Sequence, residues 1–388
     1  MDGEIGYRSL RFFCRLLRGG APKACKPTIY LDTASFSTMK RLVLIVIPLL
    51  VAVGTFAQAR PLTQQEYVRL LYRLDNNITE KAELTESVRR RGIDFVLTTG
   101  LKSLTRTKSR NDQELRSALE EAERRRQDPT AAQPPSPAEA ADLLEKARAN
   151  TLAAVDGMPD FVVKQLIQRA AAYAGTGTFR NLDRLVVAVS YRASGEEEYR
   201  VLSVNGTPKP APDAKSSYEE VGGTSSTGEF VTMLATIFKP ENKTRFTAID
   251  TATIRDRRAV MYDFEIDRDM AKQRITAAGA NSQTTITGIK GRVWIDRDIF
   301  RVLRIESAAT EIPADFPITS AKRVIDYDWA TISDERYLLP MLSDVRLTHR
   351  GGRDLFESRN VIRFRDYQKF GTDVIIREED DEVLADQP

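Results

Sequence analysis

Apolar and polar positions along the chain change their period once, near residue 157. From Leu62 to Gln127 the spacing is helical. Tyr67, Leu70, Leu71 and Leu74 predict one helix, and Leu84 to Arg91 a second, closed by Gly92 as its C-cap. Leu101 and Leu104 mark a third. Leu115, Leu119 and Ala122 lie on one face of a long fourth helix ending in Glu121 to Arg126. That apolar face is narrow, so this helix is expected to pack on little or stay partly free. Asp128 to Pro137 (DPTAAQPPSP) holds no apolar residue larger than Ala. Its prolines remove amide donors and favour extended backbone, which predicts a semi-stiff linker and a domain boundary. A helix restarts at Ala138 and runs to about Asp156, with Ala141, Leu143, Leu144, Ala147, Leu152 and Ala153 on its apolar face. Gly157-Met158-Pro159 ends it.

Beyond Pro159 the period is two. Leu185, Val187 and Val189 alternate with Val186, Ala188 and Ser190; Val260, Tyr262, Phe264 and Ile266 alternate with Met261, Asp263, Glu265 and Asp267. Ile325, Tyr327 and Trp329 alternate with Asp326, Asp328 and Ala330, and Ile362 and Phe364 with Arg363 and Arg365. About ten such segments lie between Phe161 and Ile376, interrupted by one helical stretch from Thr227 to Phe238, with Ser226 or Thr227 as its N-cap. Strands joined by short turns pair antiparallel, and alternation gives each strand one wet and one dry face. A sheet of that size curls and must cover its dry face. The fold class is therefore α+β: a strongly curved antiparallel sheet, a half-barrel of about ten strands, covered by helices 138–156 and 227–238 and preceded by a small helical module.

Composition sharpens this picture mainly at the N-terminus. Met39-Lys40-Arg41 is a short basic start, Leu42 to Val53 an apolar run broken by Pro48, and Ala57-Gln58-Ala59 puts small residues at the −3 and −1 positions. These parts make a secretory signal peptide cleaved after Ala59. The apolar run is too short for the ~20 residues a membrane-spanning helix needs. Residues 1–38, upstream of a signal peptide with its own Met, read as an over-called start. The organisation is then 39–59 signal peptide, 60–127 helical module, 128–137 Pro-rich linker, 138–378 curved β-domain and 379–388 acidic tail. Cys14 and Cys25 are the only cysteines, so the exported part is thiol-free. The net charge of +3 rests on the first 59 residues, which hold eight Lys/Arg against three Asp/Glu; the remainder is close to neutral, which argues against a nucleic-acid partner.

Gly291-Arg292-Val293-Trp294-Ile295-Asp296, followed by Phe300-Arg301-Val302-Leu303-Arg304-Ile305-Glu306, resembles the hairpin of the LolA/LolB lipoprotein-carrier family. Met158-Pro159-Asp160-Phe161, Gly228-Glu229-Phe230, Tyr337-Leu338-Leu339-Pro340 and Asn360 with Arg363-Phe364 resemble uncharacterised exported proteins of acidobacteria. Arg91-Gly92-Ile93-Asp94-Phe95 with the helices after it resembles a helical module of such proteins. The resemblance implies a periplasmic protein with a carrier-like β-domain that takes a lipid or lipoprotein ligand.

The residues supply little that could catalyse. His349 is the only histidine, and its place in Val345–His349 puts it on the polar side of an alternating strand. Gly175-Thr176-Gly177-Thr178 lacks the third glycine and following helix of a phosphate loop and reads as a strand turn. Asp263 with Glu265, and Asp326 with Asp328, read as solvent faces of strands. No enzyme, cofactor or metal site is expected. The aromatics Phe230, Tyr262, Phe264, Tyr327, Trp329 and Phe364 are the candidates for lining an apolar ligand site in the concave face. The function expected is a periplasmic binding or carrier protein for a lipid or acylated ligand. The alternative is an envelope interaction protein whose helical module docks a protein partner.

Overall fold

All four helices of the 60–127 segment form: α1 (Gln64–Arg73), α2 (Lys81–Arg91), α3 (Thr99–Lys108) and α4 (Gln113–Gln127). The computed structural model describes residues 60–74, 80–130, 133–209, 224, 227–277 and 282–370. The leader, the residues before it and the acidic tail lie outside the described residues. Thr63 starts α1 with a capping box: its hydroxyl accepts the Glu66 amide at 3.2 Å while the Glu66 carboxylate accepts the Thr63 amide at 3.1 Å. Thr98 and Asp112 cap α3 and α4 in the same side-chain-to-amide way. Gly92 closes α2 at φ +69°, where a side chain would be strained. The four helices enclose their own apolar cluster, with Leu62, Tyr67, Leu71, Val88, Leu115 and Leu119 at its centre.

Helix α5 (Pro137–Asp156) opens on Ser136, whose hydroxyl accepts the Glu139 amide, with Pro137 at the first helical position. Its buried residues are Ala140, Leu143, Ala147 and Thr151, while Ala141 and Ala153 face solvent. The apolar stripe is thus rotated slightly from the expected one: alanine fits either face, and the face is fixed by Leu143 with Leu144, Leu152 and Val155 partly buried beside it. The second covering helix, α6 (Thr232–Phe238), starts five residues later than expected. Gly228 takes φ +79° and directs Glu229 and Phe230 into a turn, and Val231 at the N-cap makes no side-chain cap bond.

Twelve strands form one curved, open antiparallel sheet. They are β1 (Phe161–Tyr173), β2 (Arg180–Tyr191), β3 (Glu197–Val204), β4 (Thr207–Pro208), β5 (Arg245–Ile254), β6 (Arg257–Ile266), β7 (Gln273–Ala277), β8 (Gln283–Asp296), β9 (Val302–Thr310), β10 (Ile318–Ile332), β11 (Glu335–Gly351) and β12 (Asp354–Lys369). A four-residue helix, α7 (Arg268–Ala271), connects β6 to β7. The order is β4-β3-β2-β1-β12-β11-β10-β9-β8-β6-β5, with β7 beside the first half of β8. Nearly every neighbour is consecutive in sequence, as short turns dictate; the exceptions are β6 beside β8, where β7 lies off the path, and the last strand against the first, with Ile167 opposite Ile362.

One face of the sheet, the inner, is apolar and carries two clusters. Val260, Tyr262, Phe264, Val293, Ile305, Ile325 and Tyr327 pack under α5 and α6. Phe161, Val163, Ile167, Val187, Tyr191, Phe230, Ile362 and Phe364 form the second cluster, with Phe230 edge-on to Phe364 at 5.5 Å. The β8–β9 hairpin carries two residues that sequence alone marks only as a motif. A methyl group on Gly291 would sit 1.9 Å from the Glu306 carbonyl oxygen, so only glycine lets the two backbones approach. Gly291→Ala is expected to destabilise by about 1–3 kcal/mol, as overpacking does, measured as a lower urea midpoint with unchanged slope. Asp296 is fully buried and accepts the amides of Asp298 and Ile299, both at 2.9 Å.

Candidate functional site

The inner face is filled. Phe230, Tyr262, Phe264, Tyr327 and Phe364 are each 5% exposed or less. Tyr262 donates to the Ala140 carbonyl at 2.8 Å and Tyr327 to the Glu229 carbonyl at 3.4 Å, so both hydroxyls are tied to the covering segments. Burial pushes both phenols well above their ordinary range. The structure brings Tyr262, Phe264 and Tyr327 into one cluster and Phe230 and Phe364 into the other. It does not bring Trp329 to either: this ring is 38% exposed, with the Arg336 guanidinium 5.1 Å above it.

The open space is on the other, outer face. There the alternate residues of the strands are charged, and α4 lies across them. A groove of about 730 Å³ is lined by Glu114 of α4 and by Asp263, Lys290, Arg292, Glu306 and Lys322 of the sheet. It continues into a cleft of about 540 Å³ between α4 and β5, β6 and β8, reaching Trp294, Arg304, Asp344 and Arg346. Sequence order scatters these groups over more than two hundred residues. Register gathers them: Asp263 lies opposite Arg292, Arg292 opposite Glu306, and Lys322 opposite Arg346.

Three polar anchors hold α4 on this face. Arg292 joins Glu114 at 2.8 Å and Asp263 at 2.6 Å. Arg125 joins Asp250 at 2.5 Å. The Thr251 hydroxyl donates to Glu121 at 2.7 Å. Burial works to raise the Glu114 carboxyl, but Arg292 and Arg89 outweigh it and hold it below the usual carboxylate range. At Asp250 burial wins over Arg125 and the carboxyl is raised. Further along, burial also works against Asp344, and Arg359 and Arg346 again hold it low. Asp326, expected on a solvent face, is buried and bonded to Arg304 at 3.1 Å; its partner lies on the neighbouring strand, out of reach of any single-strand pattern.

Two cations of the groove are free of such pairs. Lys290 and Lys322 are exposed and have no carboxylate partner among the described residues. The arrangement can therefore attract and hold an anionic group without breaking an ion pair. Among the described residues no three His, Asp or Glu side chains are grouped to hold a cation. His349 stacks near Phe356, ring centres 6.0 Å apart, away from the groove. Sequence reasoning missed Lys290, Arg292, Arg304 and Lys322; their signal was the recurrence of basic residues at outward positions of three successive strands, Lys290 and Arg292 on β8, Arg304 on β9 and Lys322 on β10.

No protein-family model matches the sequence, and no curated protein matches it. Among solved structures, the chain is similar to a DUF1329 family protein from Desulfovibrio piger, at 10% identity and a TM-score of 0.25, over 60% of this chain and 95% of that one. It is also similar to the Pseudomonas aeruginosa MucA/MucB complex, at 11% identity and a TM-score of 0.17, over 58% and 94%. A likeness of this degree leaves function to the geometry of the chain itself. No helix among the described residues is long and apolar enough to cross a membrane.

Proposed function

We propose that this chain is an exported, non-enzymatic binding protein of the periplasm that holds an acidic segment of a protein partner in the outer-face groove. The observation that carries this reading is the pairing of a groove with two exposed lysines on its floor, Lys290 and Lys322, that have no carboxylate partner among the described residues. Glu114 of α4 closes one side of the groove and α4 walls the adjoining cleft, so the helical module takes part in docking, and neutral neighbours such as Ser307, Ala308 and Val324 leave room for a backbone. Trp294 lies in the adjoining cleft and Trp329 does not, and these are the chain's two tryptophans. In a Trp329→Phe background, a short poly-glutamate peptide is expected to shift Trp294 emission with saturation. Lys290→Glu with Lys322→Glu is expected to weaken binding by about tenfold or more, each charge near ~1 kcal/mol across a partly screened contact. An unchanged spectrum, or equal affinity in the double variant, removes the support for the reading.

A lipid carried on the inner face is the second reading. What favours it is the slightness of the α5 cover, in which Leu143 is the only large side chain fully buried. If α5 swings out, an apolar surface is exposed. Mass spectrometry of the natively purified protein decides it: an acyl species bound in fixed ratio supports it, and its absence counts against it.

A further inference from the structure

At one end of the sheet, the turns between β1 and β2 (residues 174–179) and between β11 and β12 come together. Tyr173 is opposite Phe356 in the β1–β12 ladder, their rings 5.0 Å apart, and the Ala174 amide donates to the Leu355 carbonyl at 2.9 Å. This end is apolar and exposed. Tyr173 is 60% exposed, Leu182 62% and Leu355 43%. Leu182 stands out for a backbone reason: the register between β1 and β2 shifts between Arg169 and Ala170, and Leu182 is left without a partner opposite it. A bulge of this kind re-aims a side chain away from the sheet. A leucine held outward in water gains nothing for folding.

The rim of the same patch is basic. Arg180 and Arg353 are exposed and make no ion pair among the described residues. Arg350 holds the Ala314 carbonyl at 3.0 Å with one nitrogen. Of the acidic residues here, Asp183 is taken up by Arg169 at 2.5 Å, leaving Asp354 and Asp315. Outward apolar side chains, an interfacial tyrosine and a ring of arginines are the composition that sits at the boundary of an anionic bilayer. A second copy of the chain would bring the same arginines face to face.

We propose that this end of the sheet docks on an anionic lipid surface, with Tyr173, Leu182 and Leu355 entering the headgroup boundary and Arg180, Arg350 and Arg353 meeting the lipid phosphates. The test is co-sedimentation of the purified protein with vesicles of phosphatidylcholine containing phosphatidylglycerol, beside vesicles of phosphatidylcholine alone. The protein is expected to sediment with the first and far less with the second. Arg180→Glu with Arg353→Glu, and separately Leu182→Asp with Leu355→Asp, are each expected to lower vesicle affinity by about tenfold or more. All four side chains are exposed, so the melting curve should not move. Failure to sediment with anionic vesicles, equal binding to both compositions, or undiminished binding in both variants overturns the proposal. So does loss of vesicle binding only on reversing Lys290 and Lys322, which would assign it to the groove.

Discussion

Asp296→Ala is expected to lower the unfolding free energy by about 2–6 kcal/mol, chiefly the cost of leaving two backbone donors of the turn without their buried acceptor. The carboxylate is fully buried at the end of β8. One oxygen accepts the Asp298 and Ile299 amides, and the other accepts the Arg257 guanidinium from β6. It therefore fixes the β8–β9 turn and ties it to the neighbouring strand at once. Replacement by alanine leaves two backbone donors of the turn without an acceptor, at about 1–3 kcal/mol for each that stays buried. Arg257, about two-fifths exposed, can return to water and adds less. Asn keeps one acceptor oxygen, so Asp296→Asn should fall between alanine and wild type. Urea unfolding followed by far-ultraviolet circular dichroism measures all three. A loss below about 1 kcal/mol for alanine, the size of an ordinary exposed substitution, would show that the turn does not depend on this carboxylate.

This residue also shows what was legible in the sequence. Gly291 and Asp296 stood out as a motif, and alternation placed Val293 and Ile295 inward, because one strand's pattern is enough to read one strand's faces. The two-fold period of β6, β10 and β12 and the four helices of the module were legible for the same reason. The groove was not, since Asp263, Arg292, Glu306 and Lys322 belong to four strands, and only their register makes them neighbours. A charged residue on the wet side of a strand looks the same in sequence whether water or a helix covers it. That is why Asp326 was expected in solvent and is found buried against Arg304. Alternation placed Tyr262, Phe264, Tyr327 and Phe364 on the dry face, where the structure has them, and Trp329 too, which lies outside both clusters. Whether a dry face is open or filled depends on how closely α5 and α6 approach, and helical spacing does not encode that distance.

The second large effect is expected at Asp250→Ala, and it is local. Asp250 is 5% exposed, bound to Arg125 of α4 and to its neighbour Thr251's amide at 2.8 Å. If α4 stayed in place, Arg125 would keep its bonds to the Arg89 carbonyl and the Thr251 hydroxyl but lose its carboxylate, at a cost of up to about 3–5 kcal/mol. The module has its own apolar core, however, and its grip on the sheet is polar, so it can lift away and rehydrate Arg125 instead. The cost is then capped by the free energy of docking. Weakening docking by about 2 kcal/mol multiplies the undocked population roughly thirtyfold, which limited proteolysis in the 128–136 segment and amide exchange in β5 should report, while the unfolding of the sheet barely moves. The titration of the two anchors works in opposite senses. Glu114 is lowered in the folded protein, so its contribution is present above the ordinary carboxylate pKa of about 4 and is lost as pH falls through the lowered value. Asp250 is raised, so its contribution is complete below that ordinary value and is lost as pH rises through the raised one. Docking should therefore weaken on the acid side through Glu114 in wild type and in Asp250→Asn alike. The weakening as pH rises should disappear in Asp250→Asn, which keeps the hydrogen bond to Thr251 without the charge. Proteolysis rates that rise with pH equally in both proteins would show that some other group sets the grip of α4 on the sheet.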